Sequence, residues 1–136
     1  MTSSEELIKC YQIQIIKNKC KPVYLGSYPH VPLPVLKIIN HKNYILQVVA
    51  YVLTEDEIKN YNIVGVVIFN KKDNENSICS FDLVYEDKKY KFYYNDHNTK
   101  KEKEVKVIKN DVNKDNIMTL LIEGVFNISP TKEMLL

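Results

Sequence analysis

Apolar and polar positions along this chain alternate with a period near two far more often than with the helical period of 3.6. Residues 43–53 (NYILQVVAYVL) read as a long strand. The run 63–69 is apolar on both faces, so it is a central strand or one bent around a core. Gly65 within it marks a bulge, a bend or a close backbone approach. After a polar turn over 71–77, Cys79, Phe81, Leu83 and Tyr85 share one face of the next strand, and Ser80 and Asp82 the other. In residues 90–94, Tyr90, Phe92 and Tyr94 share a face, with Lys89, Lys91 and Tyr93 opposite. The stretch 118–128 (MTLLIEGVFNI) is expected as the last strand, with Leu120, Ile122, Phe126 and Ile128 buried and a bend at Gly124.

The remaining segments connect these strands. Residues 21–34 hold Pro22, Pro29, Pro32 and Pro34, which lack an amide donor, so a wrapping extended segment is expected there rather than a sheet centre. Residues 35–39 are short and apolar. Thr54 is placed to cap a brief turn through Glu55, Asp56 and Glu57. Residues 97–104 (HNTKKEKE) read as a solvated loop, 105–108 as a short strand or helix start, and 110–116 as a polar turn. At the N-terminus, Ser3 or Ser4 caps a short helix, with Glu6 completing a capping box after Ser3. Leu7, Tyr11 and Ile15 fit a helical face, while Tyr11, Ile13 and Ile15 against Gln12 and Gln14 fit a strand. The expectation is a short helix running into extended chain.

Composition bounds the class. A chain of 136 residues, 45% hydrophobic and 26% charged, is one globular domain. It divides into an N-terminal helix and proline-rich segment (1–34) and a β domain (35–136). Its longest apolar run, 63–69, is too short to span a bilayer as a helix. The polar start MTSSEELIKC is unlike a secretory signal, so an intracellular protein without membrane contact is expected. Cys10, Cys20 and Cys79 lack metal-ligand spacing and are expected to be reduced structural thiols. No metal or cofactor is expected. His30, His41 and His97 lie outside any HExxH, GxSxG or P-loop pattern. The acids Glu55, Asp56 and Glu57, and Asp82, Glu86 and Asp87, are not completed into a catalytic site, so no enzyme is expected.

Charge changes the picture only locally. The net charge is +2, and all 19 basic residues are lysine. Arginine's bidentate fork is therefore absent, and any phosphate contact must come from lysine point charges. Residues 88–109 hold eight lysines against three acids, interleaved with Tyr90, Phe92, Tyr93 and Tyr94. Cations along a backbone and rings that stack bases are the two ingredients of single-stranded nucleic acid binding. The expected contacts are Lys89, Lys91, Lys100, Lys101 and Lys103 to phosphates, with Tyr90, Phe92 and Tyr94 stacking. Tyr24 and Tyr28, in the proline-rich segment, are the expected partner-docking residues.

A coiled strand with a glycine, a hairpin to two more strands, a connection and another glycine-bearing strand follow the order of an OB-fold. Ile58, Ile63, Val64, Gly65 and Val66 fit a first-strand motif of the form "I…VxIVGxV". Phe81, Asp82 and Leu83 lie where the second-strand motif falls, and Tyr94 where the third strand's stacking aromatic falls. The block 21–39 resembles an opening "DPxFL" segment, and 116–136 a fourth strand with Gly124 on its glycine. On these residues the chain resembles the middle subunit of replication protein A and its telomeric counterpart, the Stn-type subunit of the CST complex. It departs in the turn, where Tyr85, Glu86, Asp87 and Lys88 replace "DDGTG". It departs again at Ile128 and Ser129, where a second aromatic is expected. The resemblance implies an all-β, five-stranded OB-fold barrel with a short N-terminal helix and extended segment. It also implies a nuclear, non-enzymatic subunit that protects single-stranded, telomeric DNA and supports replication or telomerase recruitment. Its partners would be a small OB-fold subunit and a larger complex subunit. The chain is expected to be an N-terminal fragment of a longer protein. The alternative is an OB-fold scaffold that binds only protein.

Overall fold

In the computed structural model, which describes residues 6–136, β1 (Ile8–Ile16) and β2 (Lys19–Tyr28) form an antiparallel hairpin. β3 (Val35–His41), β4 (Tyr44–Ala50), β5 (Asn62–Asn70), β6 (Asp73–Glu86), β7 (Lys89–Asp96) and β8 (Glu102–Ile108) then form one antiparallel meander in sequence order. A 3₁₀ turn (Glu55–Asn60) joins β4 to β5, and α1 (Ile117–Asn127) and α2 (Thr131–Leu135) follow β8. Strands hold 56% of the chain and helices 16%, so the all-β class stands. The edges β3 and β8 do not pair with each other, so the sheet stays open.

One face of the sheet is the core. Leu46, Val48, Val66, Ile68, Cys79, Phe81, Leu83 and Phe92 project from β4–β7 onto Leu121 and Val125 of α1 and Leu135 of α2. α1 can lie this close because Gly124 faces the sheet. A Cβ there would sit 3.0 Å from the Phe81 ring and 3.1 Å from Phe92. His41 of β3 ties the end of the chain to the sheet edge through Nε2 and the Leu135 carbonyl, 2.7 Å apart. The hairpin β1–β2 reaches the sheet's margin through paired Tyr11 and Leu53 backbones.

Several expectations are corrected. Residues 118–128 are helix, not strand. Ile117, Leu121, Gly124 and Val125 recur at helical spacing and are the buried positions of α1. An apolar segment this long has room for three turns, and both periods fit it; packing on the sheet selects the helix. Gly124 is thus a contact point and not a strand bend, and α2, not a strand, stands near the C-terminus. At the other end, Ser3 and Ser4 lie outside the described residues, and the helical reading of 7–15 gives way to β1. A bulge between Cys10 and Tyr11 lets Cys10 and Ile13 both turn inward, which had blurred the alternation. Part of the proline-rich segment is strand as well. Pro22 pairs opposite Ile13 in a two-stranded ribbon, where proline is tolerated. β8 begins at Glu102, inside the stretch expected as loop. Thr54 starts the 3₁₀ turn as expected, with Glu57 Oε1 accepting from its N–H and hydroxyl.

Candidate nucleic-acid and partner surfaces

β7 carries most of the expected nucleic-acid contacts, and its two faces differ sharply. Tyr90, Phe92 and Tyr94 lie on the core side. Phe92 is only 3% exposed and packs 4.8 Å from the Phe81 ring, so it cannot stack on a base. Tyr90 packs 4.8 Å from Tyr85, and its hydroxyl lies 3.2 Å from Cys20 Sγ. Burial raises its pKa, and the neighbouring thiol adds to the rise. Tyr94 is half-buried against the core, and its hydroxyl is pushed up to about 12, by burial first and by Cys79 second. The period-two alternation therefore spends the stacking platform on packing.

The lysines are divided too. Lys91 is 9% exposed and lies 3.2 Å from Glu104, 3.6 Å from Asp87 and 3.7 Å from Glu86. Its pKa is raised, chiefly by the hydrogen bond it donates to Glu104. With three carboxylates around it, Lys91 neutralises acids instead of offering charge to a phosphate. Lys89 is exposed at the β6–β7 turn, while Lys100, Lys101 and Lys103 are exposed at the β7–β8 turn. β7 separates these groups by eight residues, roughly 25 Å of strand. They do not make one stripe.

Beyond the expected residues, the sheet's other face holds a buried polar group. Asp82 Oδ2 accepts from Ser80 Oγ at 2.9 Å and from Asn95 Nδ2, while Oδ1 accepts from the Tyr51 hydroxyl. Burial pushes the Asp82 carboxyl above its ordinary value; these three hydrogen bonds pull it down and only partly offset burial. Tyr51 lies directly over Gly65, which explains the glycine in β5 as a close-approach residue. The cluster is fully paired, so it reads as a locked structural element. Among the described residues no group of three His, Cys, Asp or Glu side chains is placed to hold a metal ion. No described helix is long and apolar enough to cross a membrane.

The partner residues fare differently. Tyr24 is 54% exposed, and Tyr28 is exposed beside it. The chain beyond them keeps its apolar groups in solvent: Val31, Leu33, Val35, Leu36 (51%) and Ile38 (57%). The last three belong to β3, whose outer edge has no strand beside it among the described residues. The opposite edge, β8, carries Glu102, Lys103, Glu104 and Lys106. Sheets normally blunt a free edge with such charges. β3 has only Lys37. The sequence pattern marks 35–39 as apolar, but whether it lies inside or at an edge depends on strand order. Comparison with protein-family models, curated proteins and solved structures returns no match to this chain.

Proposed function

We propose that this chain is a non-enzymatic assembly module that takes an extended strand of a partner protein along β3. The observation behind this reading is the edge of β3, unpaired among the described residues, with Val35, Leu36 and Ile38 in solvent; Leu33, Val31, Tyr28 and Tyr24, which precede it in sequence, are exposed as well. A partner strand would satisfy the edge's backbone groups and cover these side chains, the usual mode of β-augmentation. Tyr24 and Tyr28 would extend the contact as rigid aromatic anchors. The test is affinity purification from the native cell with wild-type bait and a Leu36→Lys/Ile38→Lys variant, each treated with nuclease. A near-stoichiometric protein partner, kept after nuclease and lost with the variant, is expected. Partners that survive the substitutions, or leave with the nucleic acid, would refute docking on β3.

A second reading makes the chain a nuclear subunit of a single-stranded-DNA complex of the replication protein A or CST type. It rests on the strand motifs around Gly65 and Phe81, and on the exposed Lys89, Lys100, Lys101 and Lys103. Its OB-fold barrel would need a closing pair between edges that this sheet leaves apart. Its stacking residues lie against the core. For these reasons the protein-docking reading is preferred.

A further inference from the structure

A meander places every other turn at the same end of its sheet. Here the β3–β4, β5–β6 and β7–β8 turns share one end, and hydrogen bonds join them directly. The Lys71 amide donates to the Asn43 carbonyl at 2.9 Å, linking the first two turns. Ser77 Oγ bonds His97 Nδ1 at 2.5 Å, and the His97 amide donates to the Ile78 carbonyl, linking the second and third. Along this rim stand Lys42, Lys71, Lys72, Lys100 and Lys101, all exposed. Among the described residues, only Lys9 and Lys91 lie within ion-pair distance of a carboxylate, so no rim lysine is held in an ion pair. Of the nearby acids, Glu75 and Glu102 are exposed, while Asp73 and Asp96 accept hydrogen bonds within their own loops. Asp96 Oδ1 accepts from the Asn98 and Thr99 amides, and Asp73 accepts from the Glu75 amide and the Asn76 side chain.

The other end of the sheet has the opposite character. The 3₁₀ turn and the β6–β7 turn carry Glu55, Asp56, Glu57, Glu86 and Asp87 against Lys59, Lys88 and Lys89. With Asp73, Glu75, Asp96 and Glu102 counted, the rim is basic by one charge and the far end acidic by two, a modest difference that favours approach of an anion at the rim. Strands about 4.8 Å apart put the outer two basic turns about 19 Å from each other. That is a row of separate cations on rigid hairpins, matched to a ligand with repeated negative charges. Asparagines at 43, 70, 74 and 98 stand among them as neutral hydrogen-bonding groups.

We propose that this rim binds the phosphate backbone of nucleic acid. Lys42, Lys71, Lys72, Lys100 and Lys101 supply the contacts, and the aromatic face of β7 takes no part. The ligand class is that of the second reading above, but the surface is different and is independent of docking on β3. The test is fluorescence anisotropy with a labelled single-stranded 20-mer and its duplex, titrated with intact protein over a range of salt. Binding at low salt should weaken with a log–log slope of about −3.5 for single strands if all five lysines engage. Lys71→Gln/Lys72→Gln and Lys100→Gln/Lys101→Gln should each lower the magnitude of that slope by about 1.4. Lys71→Arg/Lys72→Arg should keep the affinity, which separates lost charge from a disturbed fold. Lys88→Gln/Lys89→Gln, at the far end, should leave it unchanged. No binding to either oligonucleotide at low salt would overturn the proposal. So would equal losses from the far-end and rim variants, or rim-dependent binding to anionic vesicles alone.

Discussion

Gly65→Ala is a one-carbon change with a large expected cost. The added Cβ would overlap Asp82 Oδ1 and lie 2.6 Å from the Tyr51 hydroxyl and 2.7 Å from its Cε2. Both neighbours must move. Asp82 keeps its hydrogen bonds from Ser80 and Asn95, so Tyr51, tethered to it by a single hydrogen bond, is the part that swings away. The hydrogen bond to the carboxylate is then lost, at about 1.5–3 kcal/mol, and residual overpacking adds about 1–3 kcal/mol. Their combined effect, about 2.5–6 kcal/mol, is a large share of the roughly 5–15 kcal/mol that holds a domain folded. Urea unfolding followed by circular dichroism should show a midpoint lower by roughly 2 M, taking a slope of about 2 kcal/mol per molar. The control is Tyr51→Phe. Without its hydroxyl the hydrogen bond is already gone and the 2.6 Å contact is removed, while the contacts with Asp82 Oδ1 and with Cε2 remain. Gly65→Ala should therefore cost at least about 1.5 kcal/mol less in that background. Additive effects, within about 0.5 kcal/mol, would refute the reasoning that glycine is required here by the Tyr51–Asp82 contact.

Two further outcomes follow from the same packing. Because burial holds the Asp82 pKa above the unfolded value of about 3.9, the folded chain binds more protons between those two values. Its contribution to stability is therefore full on the acid side and falls as pH rises through the folded pKa. In urea unfolding at pH 4, 5, 6 and 7, wild type minus Asp82→Asn should decline with pH; a flat or rising difference would remove burial as the dominant influence. At Gly124 a Cβ meets only ring carbons at 3.0–3.1 Å, and alanine gains up to about 1 kcal/mol of helix propensity. Gly124→Ala should change stability by less than about 1 kcal/mol, whereas Gly124→Leu should destabilise by several; equal effects would mean that α1 does not press on Phe81 and Phe92.

The central strands were legible because their residues satisfy the period-two pattern on their own. Cys79, Phe81 and Leu83 are all fully buried on one face, as the alternation requires. Ser80 and Asp82 alternate correctly as well, yet they are buried too. Alternation assigns a residue to a face but does not say what covers that face, and here Tyr51 and Asn95 cover it. The 118–128 segment failed for a different reason. An apolar run with Leu120, Ile122 and Phe126 on one parity and Leu121 and Val125 on the other fits both periods. Only the space left above β5 and β6 decides between them, and that space is a property of the whole sheet.

The functional surfaces divide along the same line. Lys88 to Lys109 looks like one basic-aromatic strip because it is continuous in sequence. Folding the strip into the β7–β8 hairpin carries its middle, Lys100 to Lys103, to the opposite end of the sheet from Lys89 and turns Tyr90, Phe92 and Tyr94 inward, so contiguity in sequence is a poor guide to contiguity on the surface. Lys42, Lys71 and Lys100 are far apart in the chain and carry no motif. What unites them is strand order, since alternate turns of a meander must meet at one end. The same order leaves β3 rather than β8 as the apolar edge. Local pattern can find the strands; only their sequence in the sheet distinguishes a solvated lysine from one row of cations, or a core strand from an edge awaiting its neighbour. For a chain with no arginine and with Tyr90, Phe92 and Tyr94 packed on the core, that order is where charge and apolar surface acquire direction.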